Sequence, residues 1–480
     1  MKTILKKNIY FIILGIIIFI GFLFRLKGFA TNPSLWHDEC ALGWNILNKN
    51  YAELFNKLRF LQIAPPMFLV CTKFLISLFH VKTNIFACDL TLRLIPFIFG
   101  NLSIWLFYLV CKSVFNSKWT TLIAILLFSL NPILINYSFE FKPYIVDVFC
   151  SLLVLNIFLN INFEKLNLKQ ILTYGMIFAI LPWFSFMSAV VEFAGFLTLS
   201  YKKESPKKFF LMSLPVILSV FAYLKLFILK IYEQNSTGML NYWQNEFIKK
   251  DLSNVTQLNF ENLHYFFSDL PFFSCTMFVI LMFIGAILFF KDNKLRFLFI
   301  SFLIEATLVV ASIMHVYPYS QRLIIFLIPI LLIFGVKIFD IKNKVLASIL
   351  LAFVIIPHFL FTVNFIKIKN INKGYFARSM MKQIANNIEP NDKILVNDSS
   401  NVEFFYYNLF FDLKNSTKFF KEKTQIGDCQ KLEKGQYWLF MPYFGKNNDV
   451  TNIINWLENN SQIMFKAQAK QSILIKFIIN

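Results

Sequence analysis

Apolar residues in this chain gather into many separate runs of about 17 to 22, the length an α-helix needs to cross roughly 30 Å of hydrocarbon at about 1.5 Å per residue. The runs do not alternate apolar with polar, which excludes an outer-membrane barrel. Lys2, Lys6 and Lys7 precede the first run, Asn8 to Phe24, and Arg25 and Lys27 follow it without a small-residue cleavage site. This pattern predicts a retained first transmembrane helix with a cytoplasmic N-terminus. The stretch from Thr31 to Gln62 is polar and aromatic, cannot span, and so reads as a first outer loop.

The next run, Ala64 to His80, decides the topology. It is short, opens with Pro65-Pro66 and carries Lys73 in its middle. If it crosses, the basic clusters Lys202/Lys203 with Lys207/Lys208, Lys291/Lys294/Arg296 and Lys342/Lys344 all face outward, against the positive-inside rule. If Met67 to His80 instead lies along the interface, all of them return to the cytoplasm. The second reading gives about eleven crossings, near residues 8–27, 92–111, 119–137, 146–161, 170–184, 187–201, 209–229, 272–290, 295–313, 322–338 and 345–364. After Phe365 the pattern changes: KILVND, YWLFMPY and QSILIKFII read as strands, and Ala377 to Asn387 and Val450 to Asn459 as helices. The expected fold is an all-α polytopic membrane module over residues 1–364, with interfacial helices in its first outer loop. A small extracytoplasmic α/β domain follows at 365–480.

Composition supports this and narrows the function. Of 480 residues, 57% are hydrophobic and 15% charged, against about 25% charged in soluble domains. The net charge of +20 is spread over short loops and the C-terminal region rather than one basic face, so no nucleic-acid partner is expected. The seven cysteines have no CxxC spacing and sit mostly in or beside apolar runs, so neither a zinc knuckle nor a disulfide framework is indicated.

Charged groups at a membrane boundary are where chemistry is sought. His37-Asp38-Glu39 lies in an aromatic loop just past the first crossing; a carboxylate there could act as general base for a hydroxyl, or Asp38 could merely cap a short helix. A second cluster, Glu140, Lys142, Tyr144 and Asp147, falls on the same side by parity, and an ordinary loop ion pair is its bland reading. Arg93 with Asp89, and His315, Tyr317, Tyr319 and Arg322, point to that side too. An arginine fork suits a phosphate diester, whereas snorkelling at helix ends needs no ligand. Glu192 and Glu305 fall inside predicted spans and keep a lipid or solute transporter in view.

The ordered motifs PSLWHDE, APPMFL, LRLIPFIFG, YSFEFKPYIVD and YPYSQRLIIFLIP together resemble the polyprenyl-phosphate-sugar-dependent glycosyltransferases of the GT-C class. The nearest likeness is to glycosyltransferase family 39-like bacterial membrane proteins, related to protein O-mannosyltransferases and the lipid A aminoarabinose transferase. The likeness runs over roughly residues 8–340. It implies Asp38 as the catalytic base with Glu39 as its partner. It further implies a second acidic loop at Glu140, Lys142, Tyr144 and Asp147, and a lipid-phosphate site at Arg93, Arg322 and Tyr319. Ala64 stands where the family often has histidine, so no histidine role carries over there. The tail resembles the soluble segment of such proteins, with Arg378 and Asp392 in familiar places.

The implied enzyme is a multi-pass transferase of the inner, cytoplasmic membrane, with an extracytoplasmic C-terminal domain. It moves a sugar from a polyprenyl-phosphate donor to an envelope glycan, lipid or protein acceptor. Whether a divalent cation takes part is open at this stage: Asp38, Glu39, Glu140 and Asp147 could form an oxygen-rich site for magnesium or manganese, and His37 could favour zinc. A lipid or solute transporter is the alternative from another class, although no inverted repeat is evident.

Overall fold

The computed structural model describes residues 2–201, 206–229, 240–267, 272–340, 360, 363, 376–420, 432–442, 448–469 and 472–480. Among them, four helices are long and apolar enough to cross a membrane: Asn8–Thr31, Ile85–Val114, Pro206–Phe227 and Leu295–Ile313. Shorter apolar helices stand beside them. In chain order the membrane module holds α1 (Lys2–Thr31), α2 (His37–Asn48), α3 (Pro66–Leu78), α4 (Ile85–Leu92), α5 (Leu94–Val114), α6 (Lys118–Ser129), α7 (Pro132–Tyr137) and α8 (Tyr144–Asn160). It continues with α9 (Leu168–Ile180), α10 (Phe186–Tyr201), α11 (Pro206–Tyr223), α12 (Val255–Phe266), α13 (Phe272–Lys291), α14 (Leu295–Ile313) and α15 (Ile328–Val336). The expected crossing at 345–364 and the domain boundary at 364/365 lie outside the described residues, apart from 360 and 363.

Two expected crossings are broken rather than continuous. Residues 119–137 divide into α6 and α7 at Asn131-Pro132, where the Asn131 side chain caps α7 by accepting from the Leu134 N–H at 3.0 Å. Proline suits that first turn because its missing N–H is an orphan there anyway. Residues 322–338 carry only the short α15, preceded by 3₁₀ turns at Gln321–Leu323 and Ile325–Leu327, with Pro329 again at a helix start. The irregular backbone of these turns carries Arg322.

The run with disputed topology forms α3, which has 13 residues and so reaches about 20 Å, short of the roughly 30 Å a crossing needs. It packs on α2 and α4. Lys73 is buried, and its ammonium donates to the Ile46 carbonyl near the C-terminal end of α2 at 2.7 Å, which satisfies a carbonyl that the helix leaves unpaired.

The C-terminal segment forms a five-stranded sheet ordered β2-β1-β3-β5-β4, from β1 (Lys393–Asn397), β2 (Thr417–Phe420), β3 (Gly435–Met441), β4 (Gln462–Ala469) and β5 (Ser472–Ile479). β1 runs parallel to β2 and β3, whereas β5 is antiparallel to β3 and β4. Period-two alternation covers both faces: Ile394, Val396, Trp438 and Phe440 join the core shared with the membrane module. Leu395, Tyr437, Leu439 and Met441 pack with Ile453 and Leu457 of α18 (Asn448–Asn460). On the first face lie α16 (Ala377–Asn387) and α17 (Asn401–Phe411), and α17 packs directly on α2.

One close approach shapes the site from below. At Gly100 of α5, a Cβ would fall 2.2 Å from Ser138 Oγ and 3.2 Å from the Ser138 Cα. Ser138 cannot simply rotate away, because its hydroxyl donates to the Leu134 carbonyl at 2.6 Å and accepts from the buried Arg25 Nε at 3.1 Å. Replacing Gly100→Val should therefore destabilise the protein by about 1–3 kcal/mol through overpacking. Thermal unfolding in detergent measures this, and an unchanged midpoint would refute the tight approach.

Candidate functional site

The site begins with two adjacent carboxylates in the first turn of α2, where the helix dipole favours negative charge. Trp36 is the N-cap, so Asp38 is not the capping residue; the Trp36 N–H goes to Glu39 Oε2 at 3.2 Å. About 100° separates successive side chains on a helix, and the two acids consequently meet different surroundings.

Glu39 turns inward and is 1% exposed. Arg93, at the α4/α5 junction, grips it with both arms of its fork: Nε to Oε1 at 2.8 Å and NH2 to Oε2 at 2.7 Å. The Phe141 N–H also donates to Oε1, at 2.7 Å. The third guanidinium nitrogen of Arg93 reaches the Pro33 carbonyl at 2.7 Å and Asn32 Oδ1 at 3.1 Å. Arg93, expected at a lipid phosphate, is thus 2% exposed and fully engaged by protein. Glu39, expected as a catalytic partner, holds three chain segments together.

Asp38 faces the other way, toward cations from distant parts of the chain. Arg322 NH1 lies 2.9 Å and Lys142 Nζ 3.5 Å from the same Asp38 oxygen, Oδ2. Lys142 also donates to Gln62 Oε1 at 2.8 Å. The Arg322 guanidinium stacks 5.1 Å over Trp243 and donates to the Tyr242 hydroxyl at 3.4 Å. Burial alone would raise the Asp38 pKa, but Lys142, Arg322 and His37 outweigh it and hold the carboxyl below its usual range. Burial pushes Lys142 down, and the pull of Asp38 and Glu140 only partly restores it against repulsion from Arg322.

The remaining expected residues divide. Glu140 and Lys142 share the loop before α8, where Glu140 Oε2 accepts from Asn136 Nδ2 at 2.9 Å, and Tyr144 lies within electrostatic reach of Arg322 and Asp38. Asp147 is directed elsewhere: it accepts from Ser185 Oγ at 2.6 Å and from the Met187 N–H, which ties α8 to the start of α10. Tyr319 shares its hydroxyl between the Glu305 carboxylate and Asn259, so it braces α12 against α14. Both were expected at the chemistry, and each is hydrogen-bonded to a neighbouring helix in this structure.

Three of the five candidate metal ligands are already engaged by other groups of the protein. The oxygens of Glu39 are occupied by Arg93 and two backbone N–H groups, Asp147 is bound to Ser185, and Asp38 lies between two cations. Among the described residues, no group of three His, Cys, Asp or Glu side chains could hold a metal ion. What the cluster can do is present a guanidinium and an ammonium, jointly suited to a phosphate, beside one ionised carboxylate.

Sequence reading missed Gln62, Tyr242 and Trp243, which steer the two cations, and Glu403 of α17, which lies 3.3 Å from His37 Nδ1. The adjacent aromatics Tyr242-Trp243 in a polar outer loop were the available signal for an arginine platform. For Glu403, alone in a run of aromatics, the sequence carries no such signal.

No family model matches the chain, and no curated protein matches it. Among solved structures it is similar to ArnT from Cupriavidus metallidurans bound to undecaprenyl phosphate, with a TM-score of 0.54 and 9% identity over 96% of this chain and 97% of that one. ArnT from the same organism in the apo state gives a TM-score of 0.55 and 9% identity over 99% and 98%. The oligosaccharyltransferase AglB from Archaeoglobus fulgidus overlaps with a TM-score of 0.49 and 12% identity over 98% and 74%. The ArnT likeness establishes a GT-C-like, polytopic membrane fold.

The Glu39–Arg93 pair has a stability signature. Both side chains are at most 3% exposed, so Glu39→Gln or Arg93→Met alone strands a buried charge and should cost about 3–5 kcal/mol. The double variant should recover part of that loss. Unfolding midpoints in detergent check this, and additive losses would contradict the pairing.

Proposed function

We propose that this protein is an inner-membrane glycosyltransferase that moves a sugar from a polyprenyl-phosphate donor to an acceptor outside the cytoplasm. The acceptor is a glycolipid, a polysaccharide or a protein. The observation that carries the reading is the convergence of Arg322 and Lys142 on Asp38. The GT-C-like fold, and undecaprenyl phosphate as the ligand of an ArnT structure, support a lipid phosphate as the anion those cations await. The short α3 supports the arrangement with about eleven crossings, the N-terminus inside and the C-terminal domain outside.

In the proposed reaction the acceptor oxygen attacks the anomeric carbon of the donor while its proton passes to the Asp38 carboxylate. The bond between that carbon and the phosphate oxygen breaks, and the lipid phosphate leaves with the electron pair. A single displacement inverts the anomeric centre. Charge grows on the departing phosphate, so Arg322 and Lys142 stabilise the transition state more than the ground state. General-base assistance of this kind contributes about 10²–10⁴ in rate. Glu39 and Arg93 keep Asp38 in place, and neither touches the reacting atoms.

The test is mass spectrometry of envelope glycans from a deletion strain complemented with wild type or Asp38→Asn. It is paired with binding of undecaprenyl phosphate to the purified protein in nanodiscs. Asp38→Asn should leave the sugar missing, and Arg322→Ala or Lys142→Ala should weaken undecaprenyl phosphate binding by roughly tenfold or more, the value of a charge-assisted hydrogen bond. If well-expressed Asp38→Asn restores the glycan, Asp38 is not the base. If the deletion alters no glycan while the gene is expressed, transport becomes the better reading.

A further inference from the structure

The C-terminal domain reaches the site itself. Its helix α17 is seated on the membrane module by Asp89, a fully buried carboxylate that accepts from Arg378 at 2.8 Å, the Tyr406 hydroxyl at 2.8 Å and the Tyr407 hydroxyl at 3.2 Å. The Tyr407 hydroxyl also accepts from the Leu35 N–H at 2.7 Å, and Arg378 NH2 donates to the Asn32 carbonyl at 2.7 Å. Leu35 and Asn32 belong to the segment that leads into α2. The helices touch closely: a Cβ at Gly43 of α2 would fall 2.7 Å from the Tyr406 ring. The segment that sets Asp38 and the helix that carries Glu403 are therefore fixed to each other.

Within that contact, Glu403 is 2% exposed, and its carboxylate meets His37 Nδ1 at 3.3 Å. A buried carboxylate requires partners, and this one is aimed at the residue adjacent to Asp38. The Nδ1 edge of the ring faces the Glu403 carboxylate, so Nδ1–H donates there and Nε2 is the edge left for a ligand; although burial opposes it, Glu403 and Asp38 hold the His37 pKa above its ordinary value. Among the described residues Nε2 has no protein partner, and the His37 side chain is 42% exposed. The imidazole is electrostatically coupled to both Asp38 and Lys142.

We propose that Glu403 is a positioning residue supplied by the C-terminal domain: by holding His37 Nδ1 it directs Nε2 to bind the acceptor hydroxyl group beside Asp38. The inference rests on the transferase reading and assigns its acceptor side. His37 Nε2 hydrogen-bonds a hydroxyl of the acceptor, either a neighbouring one or the attacking oxygen, whose proton moves to Asp38. The domain is then part of the reaction centre and does more than anchor the protein to a neighbour.

Two substitutions separate positioning from docking. His37→Asn retains a donor near the Nδ1 position, so the contact with Glu403 survives, but it deletes the Nε2 position; His37→Gln places an amide near Nε2. The assay uses full-length protein in nanodiscs and membranes of the deletion strain as the source of donor and acceptor. Initial product formation is followed by mass spectrometry at limiting membrane, and undecaprenyl phosphate binding is measured in parallel. His37→Asn and Glu403→Gln should each slow product formation roughly fivefold to tenfold, with undecaprenyl phosphate binding unchanged. His37→Gln, which keeps a polar group near Nε2 but gives up the hold of Glu403, should fall between wild type and His37→Asn, and the His37→Asn/Glu403→Gln double variant should be no slower than His37→Asn alone. The proposal is overturned if His37→Asn runs at the wild-type rate, if His37→Gln is no faster than His37→Asn, or if the two losses multiply. A wild-type protein that forms no product would instead remove the transferase reading on which the proposal stands.

Discussion

A carboxylate withdrawn from water costs several kcal/mol unless its oxygens are satisfied, and Glu39 meets that constraint by drawing three separate stretches of chain to one point. Arg93 comes from the α4/α5 junction, the Trp36 N–H from the entry to α2, and the Phe141 N–H from the loop before α8. Asn32 adds a fourth connection: it stands at the end of α1 in the left-handed region, φ 40°, which asparagine tolerates, and its side chain meets Arg93. With Glu39 fixed inward, Asp38 has only one face left to address, and Lys142 arrives there because Phe141 is held one residue away. The site's geometry thus follows from a pair buried behind it.

The same device recurs twice at this end of the bundle. Asp89 is buried and gathers Arg378, Tyr406 and Tyr407, which fixes the C-terminal domain. Arg25, buried within α1, spends its fork on Ser138 Oγ and the carbonyls of Gly21 and Ser129, which supports the 138–143 loop from beneath. Each node joins residues distant in sequence around one desolvated charge, and the Glu39 and Asp89 nodes adjoin through Asn32 and Leu35. Breaking either of these two would loosen the other, because buried polar networks are coupled through shared partners.

Much of the fold was legible because it rests on local pattern. Apolar runs marked α1, α5, α8, α10, α13 and α14, and KILVND, YWLFMPY and QSILIKFII became β1, β3 and β5. The shortness of Ala64 to His80 and its misplaced lysine anticipated α3. The site was legible only as a set of charges near one membrane face, since a sequence shows that a charge exists but not what answers it. Arg93 and Arg322 looked alike, both at predicted helix ends beside aromatics. One finds Glu39, 54 positions away, and is buried; the other finds Asp38, 284 positions away, and stays partly open. The partners of Tyr319 and Asp147 were hidden for the same reason, and Glu403 was invisible because its partner, His37, lies 366 positions upstream.

The resting arrangement has a consequence for how the proposed reaction is ordered. With Arg322 and Lys142 on Asp38, the carboxylate is held as an anion with little appetite for a proton, which is the wrong condition for a general base. A lipid phosphate entering beside it competes for the same two cations, and their attention to the phosphate withdraws the influence that keeps the Asp38 pKa low. Donor binding would then raise the basicity of Asp38 at the moment an electrophilic carbon is in place. In the proposed reaction, a carboxylate made basic by the arrival of the donor phosphate would couple acceptor activation to donor occupancy without any movement of a domain.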